Sequence, residues 1–363
     1  MDSHDHNITN PIDLPLVDIS NSNYDAAGKA MLHAAVKYGF LYIDSRTTAF
    51  AKSDIESAFD LSEQFFSLPI SEKAPYRRGD TNAGWVGMHV ETLDPKHHER
   101  GDYKEALNIA AALPTGGKII QPLPPCLRSR EADITRFTNL CNQTCAQILT
   151  LLAHGLEVSA DFFTSRHDSS QGPTENSLRL LHYPAKVPGY RPEKDIRAGA
   201  HSDYGSITLL FQRAGQPGLE IQTPEGQWAP VPVYPQGSGE HEDYPFPPIL
   251  INIGDVLSYW TDGLLKSTVH RVVFPGGNVG LDADVQRDRY SIAFFCGPIE
   301  STELIPVPSQ VVAAHRERRR NQSGDGDGNS TVGFGGGASE LNHDGRRLTA
   351  GEHLKARLAA TYL

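Results

Sequence analysis

The segment RAGAHSDYGSITLLFQ, residues 197–212, places His201 and Asp203 two positions apart at the head of a run with the apolar, β-branched texture of a buried strand. Side chains two apart on a strand project to the same side, and an unbroken strand would add Ile207, Leu209 and Phe211 to that face. An ionised carboxylate and an imidazole turned together toward a core persist if they are paired, hydrogen-bonded or bound to a metal. The metal alternative needs a third ligand, and STVHRVVF supplies His270 among valines further along the chain. Two histidines and one carboxylate can occupy one face of an octahedral Fe(II), leaving the other positions for substrate or dioxygen. Spacing alone decides little, because the chain has 15 histidines and repeats the pattern at His89/Glu91, His97/Glu99, His241/Asp243 and His315/Glu317. Only His201/Asp203 opens a strongly apolar strand. His241/Asp243 lies in a Gly/Pro-rich stretch that offers no rigid frame for ligands.

A second constellation separates iron from zinc. RYSIAFFC puts Arg289, Ser291, Ala293 and Phe295 on one strand face, and LRLLHYP does the same for Arg179, Leu181 and Tyr183. A guanidinium on an apolar strand can take a carboxylate bidentately, with a serine hydroxyl two residues on adding a third bond. The alternative for Arg289 is a structural ion pair with a core Asp or Glu.

The elements that must carry these residues read as helices followed by strands, an α+β pattern. YDAAGKAMLHAAVKYGF has an amphipathic stripe on Ala27, Ala30, Met31, Ala34, Ala35 and Tyr38, ended by Gly39. LPLVDIS before it and GFLYIDS after it read as short strands. KSDIESAFDLSEQFFSLP is a second helix, with Ser53 or Asp54 as its cap and Pro69 beyond its end, and residues 129–154 form a long third. After GPTEN the texture turns to short β-type runs between Gly and Pro turns, the pattern of a sandwich or barrel: SLRLLHYP, SITLLFQ, GLEIQT, PPILINIG, DVLSYW, STVHRVVF and RYSIAFFC. Asp262-Gly263 marks a tight turn. Two stretches look inserted, 234–248 and the Gly/Ser/Asp-rich 321–340, and the second reads as flexible.

Composition narrows the class. With 363 residues, 39% hydrophobic and 21% charged, the chain can bury a large core. A formal net charge of −11 disfavours a nucleic-acid partner, and the one basic run, Arg316 to Arg320, reads as the solvated end of a helix. The N-terminal MDSHDHNITNPIDLP has no apolar signal region, and no stretch reaches the roughly 18 apolar residues of a membrane span. A soluble, cytoplasmic protein without a membrane partner is expected. Cys141 and Cys145 share one helix face as small core residues, Cys126 and Cys296 stand alone, and neither disulfide-rich nor zinc-finger spacing occurs.

His201-x-Asp203, His270 and Arg289-x-Ser291, on strands in this order behind a helical half, resemble the Fe(II)/2-oxoglutarate-dependent dioxygenases of the isopenicillin N synthase-like branch. Within it the similarity is to the fungal thymine 7-hydroxylase-like oxygenases, at LRLLHYPA, HSDYGSITLLFQ, KSTVHRVV, RYSIAFFC and RLAATYL. The resemblance implies a double-stranded β-helix (jelly roll) core braced by N-terminal helices. One integrated catalytic unit is then expected: a mainly helical region 1–175, a catalytic core 176–300 and a C-terminal segment 301–363 carrying the 321–340 insertion. It further implies that His201, Asp203 and His270 hold Fe(II), that Arg289, Ser291 and Tyr183 receive 2-oxoglutarate, and that Arg179, Tyr204 and Phe295 line the substrate pocket. The implied reaction, with dioxygen as the third participant, couples decarboxylation of 2-oxoglutarate to succinate and CO2 with oxidation, chiefly hydroxylation, of a small molecule. A pyrimidine such as thymine and a fungal secondary-metabolite intermediate are the two substrate classes implied; 84–110, a pocket rim, and both insertions depart from the family pattern. Three rivals stay open: an iron oxidase of the same fold that does not use 2-oxoglutarate, a zinc hydrolase on the same ligands, and a non-catalytic jelly-roll binding protein.

Overall fold

The computed structural model describes residues 10–20, 24–79, 82–97, 100–110, 119–185, 190–191, 194–237, 243–274, 287–322 and 346–362. Of the two insertions, 238–242 and 323–340 lie outside these residues, and His241 with them. The helices are α1 (Tyr24–Lys37), α2 (Lys52–Phe66), α3 (Ile70–Lys73), α4 (Pro125–Arg128), α5 (Glu131–Gly155), α6 (Asp255–Trp260), α7 (Gln310–Gln322) and α8 (Ala350–Tyr362). The strands are β1 (Leu16–Val17), β2 (Phe40–Ile43), β3 (Gly84–Val86), β4 (Glu105–Ala110), β5 (Ser177–Tyr183) and β6 (Ala198–His201). They continue as β7 (Ile207–Gln212), β8 (Leu219–Gln222), β9 (Trp228–Pro230), β10 (Ile249–Ile253), β11 (His270–Val272) and β12 (Arg289–Cys296).

Two sheets face each other, as a jelly roll requires. The larger has the order β1-β2-β10-β7-β12-β5-β4-β3, and the smaller β6-β11-β8-β9. Period-two alternation sorts the larger sheet's side chains into two cores. Ile292, Phe294, Leu178, Leu209 and Leu41 pack outward against α1, α2 and α5, where Met31, Phe65 and Leu152 meet them. Ala293, Leu181, Tyr183, Leu250 and Tyr42 turn inward toward Ala198, Ile221 and Val272 of the smaller sheet. The α+β jelly roll expected from the sequence is therefore the observed fold. Its N-terminal region does more than brace the core, since β1 to β4 supply half of the larger sheet.

Several local expectations are corrected. The run after His201 is not one strand: the chain leaves the smaller sheet at His201 and enters the larger at Ile207. Ile207, Leu209 and Phe211 consequently face the outer core, away from the pair they were expected to join. DVLSYW is the helix α6, whose Val256, Leu257 and Trp260 bury at helical rather than strand spacing; a short apolar run leaves that choice to tertiary context. Neither Ser53 nor Asp54 is the cap of α2. The helix begins at Lys52, after Ala51, and Asp54 Oδ2 accepts the Ala51 N–H at 2.8 Å from within the first turn. In α1 Gly28, not Ala30, turns inward: an added Cβ there would lie 2.9 Å from the Leu151 carbonyl oxygen, so α1 and α5 cross at backbone contact.

Gly39 joins α1 to β2 with φ +68°, and an added Cβ would run into the carbonyl oxygen of Lys266. Gly215 has a similar φ of +73° with nothing within 4 Å of an added Cβ. Gly215→Ala is expected to cost about 1 kcal/mol for its left-handed backbone. Gly39→Ala must also displace a carbonyl and is expected to cost at least about 2–3 kcal/mol by urea denaturation. Equal losses would contradict the contact argument.

Candidate active site

The site begins where β6 and β11 pair. His270 lies directly opposite His201 in the antiparallel ladder, which brings the imidazole centroids to 4.3 Å. Asp203 stands two residues past the end of β6, and its Oδ1 lies 3.9 Å from His201 Nε2 and 3.8 Å from His270 Nε2. One ligand atom from each residue falls within 4.8 Å of the others, the only such group of three or more among the described residues. The remaining atoms of each group are already engaged. His201 Nδ1 is 2.8 Å from the Gly199 carbonyl oxygen and His270 Nδ1 is 3.1 Å from that of Thr268, so each ring donates from Nδ1 and turns an Nε2 lone pair inward. Asp203 Oδ2 accepts from Thr208 Oγ1 at 2.7 Å and Asn252 Nδ2 at 2.8 Å. Thr208 and Asn252 are themselves register partners across β7 and β10.

Electrostatics keep this cluster ready for a cation. Burial, and then the neighbouring His270, pull the His201 pKa down to about 3, so its ring is neutral at pH 7. Burial pushes the Asp203 carboxyl up, but His270, His201, Thr208 and Asn252 outweigh it and the net shift is downward. A neutral imidazole and an ionised carboxylate are the forms that ligate metal.

On the facing sheet, Arg289 is 2% exposed. Its Nε donates to the Gln216 carbonyl at 3.2 Å, Nη1 to Ser291 Oγ at 3.2 Å and Nη2 to Gln212 Oε1 at 3.4 Å, and the guanidinium lies 4.9 Å from the ring centre of its cross-strand partner Tyr183. No carboxylate among the described residues pairs with it. Sequence reasoning missed a second buried guanidinium, Arg197, which donates from Nη2 to the Arg287 carbonyl at 3.3 Å and lies over Phe274. Burial and the charge of Arg289 pull its pKa down to about 10.

The three residues expected to line a substrate pocket are placed differently from one another. Phe295 packs on the inner core, and Tyr204 lies in the loop after Asp203 with the Arg357 guanidinium 5.2 Å from its ring centre. Arg179 is bound to Glu91, 2.6 Å away. Glu91 also meets Lys104 Nζ at 3.0 Å, and Lys104 pairs with Asp102, whose other oxygen accepts the Gly199 N–H at 3.1 Å. Burial disfavours the charge on Lys104, yet Glu91 and Asp102 hold its pKa above the ordinary value. This ionised network runs from Arg179 to the backbone that orients His201. Glu91 and Lys104 fall within 84–110, read as a pocket rim, but pairing across 88 positions left no sequence signal. Among the other spacing repeats, Glu91 is thus absorbed by cations, and His97 is an exposed partner of Asp94.

The description non-haem dioxygenase in morphine synthesis N-terminal fits residues 14–125, and 2OG-Fe(II) oxygenase superfamily fits 174–298. A UPF0676 protein of Schizosaccharomyces pombe is 33% identical over 302 residues, covering 82% of this chain and 85% of the relative. The 2-oxoglutarate-dependent dioxygenase frbA of a Dothideomycetidae species is 31% identical, covering 72% and 77%. The thymine 7-hydroxylase of Neurospora crassa, solved with α-KG and thymine, superimposes with a TM-score of 0.70 at 27% identity, covering 96% of this chain and 97% of that one.

If Thr208 and Asn252 aim Asp203 Oδ1, Thr208→Val and Asn252→Ala should each weaken Fe(II) binding by roughly 10- to 100-fold. Anaerobic titration with Fe(II) checks this; wild-type affinity in both variants would show that Asp203 needs no such support.

Proposed function

Because the chain belongs to the 2OG-Fe(II) oxygenase superfamily, we propose that His201, Asp203 and His270 hold its Fe(II) and that Arg289, with Ser291 and Tyr183, receives the distal carboxylate of 2-oxoglutarate. The enzyme is a 2-oxoglutarate-dependent dioxygenase that oxidises a small organic molecule while 2-oxoglutarate is converted to succinate and CO2. Iron, when bound, supplies the activation of dioxygen. The donor set fits that ion: two imidazole nitrogens and one carboxylate oxygen converge, and their other polar atoms are occupied.

The observation that carries the co-substrate assignment is Arg289, a guanidinium buried at 2% exposure with no carboxylate partner among the described residues. A buried cation left with neutral partners is costly, and an incoming carboxylate relieves that cost by charge-assisted bonds. The chain's residues then divide the work. Asp203, Thr208 and Asn252 fix one ligand direction, and Gly199 and Thr268 orient the imidazoles.

For the substrate, the reading is a compact, flat or partly unsaturated molecule, with Arg179, Tyr204 and Phe295 against it. Thymine is the first candidate, supported by the likeness to the Neurospora enzyme crystallised with thymine. A fungal secondary-metabolite intermediate is the second, supported by the Arg179–Glu91 pair, which commits that guanidinium before any ligand arrives. Chiefly hydroxylation is the proposed outcome. A cytoplasmic location is proposed from four cysteines that are all free. No helix among the described residues is long and apolar enough to cross a membrane.

The test is a small-molecule panel with Fe(II), dioxygen and 2-oxoglutarate, read by succinate release. Succinate equimolar with product supports the assignment; product without succinate indicates the oxidase that does not use 2-oxoglutarate. Arg289→Leu should weaken 2-oxoglutarate binding at least about tenfold while sparing iron, with only partial recovery in Arg289→Lys, which has no planar fork. Unchanged 2-oxoglutarate affinity in Arg289→Leu would remove Arg289 from the role.

A further inference from the structure

The C-terminal helix α8 reaches the loop of Asp203 with one side chain. Arg357 Nε lies 2.6 Å from Asp255 Oδ2, its Nη2 donates to Ser202 Oγ at 3.1 Å, and its guanidinium lies over Tyr204. Ser202 and Tyr204 are the two neighbours of Asp203. Asp255, with a side chain 1% exposed, is a hub. Its Oδ2 also accepts from Ser202 Oγ at 3.2 Å, its Oδ1 accepts from Ser267 Oγ at 2.6 Å, and its backbone N–H donates to the Asp203 carbonyl at 2.8 Å. Ser267 precedes Thr268, whose carbonyl sets the His270 ring. One buried carboxylate therefore ties the His201/Asp203 segment to the His270 segment, and α8 provides its counter-ion. Without that cation Asp255 would be an uncompensated buried charge, a state relieved by shifting the loop it holds.

We propose that Arg357 is a positioning residue: by neutralising Asp255 and holding Ser202, the C-terminal helix keeps the two ligand-bearing segments in the arrangement that binds metal. The inference rests on the assignment of His201, Asp203 and His270 as ligands. It gives α8 a role in the site although its residues lie far from the ligands in sequence. Tyr204, next to the metal ligand and under the same guanidinium, is held by the same contact.

The experiment is anaerobic titration with Co(II), followed by visible absorption, alongside thermal melting of the metal-free chain. Arg357→Gln is expected to weaken Co(II) binding about tenfold or more, the usual effect of losing support behind a ligand. Arg357→Lys, which keeps the charge on Asp255 and loses the second bond to Ser202, should fall between Arg357→Gln and wild type. His270→Ala should abolish the Co(II) spectrum. Wild-type affinity in Arg357→Gln, with binding lost in His270→Ala, overturns the proposal and leaves the ligand set standing. Undiminished binding in His270→Ala overturns the ligand set itself. A lower melting temperature in both Arg357 variants with unchanged Co(II) affinity assigns Arg357 to the fold alone and also overturns the proposal. Should Arg357→Gln fail to fold, Ser202→Ala removes only the hydroxyl between Arg357 and Asp255: weakened Co(II) binding supports the clamp, and wild-type binding contradicts it.

Discussion

Asp203 is buried between two imidazoles with one oxygen committed and the other turned toward them, and the rest of the site is built around that carboxylate. A buried carboxylate persists when it is hydrogen-bonded, paired or bound to a metal. Thr208 and Asn252, opposite each other on neighbouring strands of the larger sheet, supply the hydrogen bonds. His201 and His270, opposite each other on the smaller sheet, stand on the other side. Asp203 itself belongs to neither sheet. It sits in the connection between them, so its geometry depends on how the two sheets face each other.

The two cores divide stability from chemistry. Outside the larger sheet, helices α1, α2 and α5 close over a nearly all-apolar cluster in which each fully buried Leu or Phe contributes about 1.5–3 kcal/mol. Between the sheets the apolar cluster is small, and charged groups share the space: the triad, Arg289 and Arg197, and the chain from Arg179 through Glu91 and Lys104 to Asp102. The apolar core can offset the cost of burying those charges. In Arg179, Lys104, Glu91 and Asp102 the charges are internally paired, whereas neither Arg289 nor Arg197 has a carboxylate partner among the described residues.

What can be read from the sequence follows the length and regularity of each element. β5 and β12 are long, regular strands, so alternation correctly separates Arg289, Ser291 and Phe295 from Ile292 and Phe294. His201, Asp203 and His270 are legible because polar, titratable groups beside apolar strands are unusual enough to need a reason. The break between β6 and β7 escapes such a reading although Ser202, Asp203 and Gly205 are turn-forming residues, because the apolar run after them masks the signal. The sequence of α6 has the texture of a strand, which hides Asp255, the residue on which the loop docks. Glu91, Lys104, Thr208, Asn252 and Arg357 act through partners set by sheet register and helix docking. No local pattern reports such pairings.

Anomalous diffraction at the iron edge, from crystals loaded anaerobically with Fe(II) and 2-oxoglutarate, locates the metal and the co-substrate together. A single iron is expected about 2.0–2.3 Å from the Nε2 atoms of His201 and His270 and from Asp203 Oδ1, with a carboxylate of 2-oxoglutarate against Arg289. Iron bound elsewhere, or an imidazole of the pair turned away from it, would rule out His201, Asp203 and His270 as the ligand set.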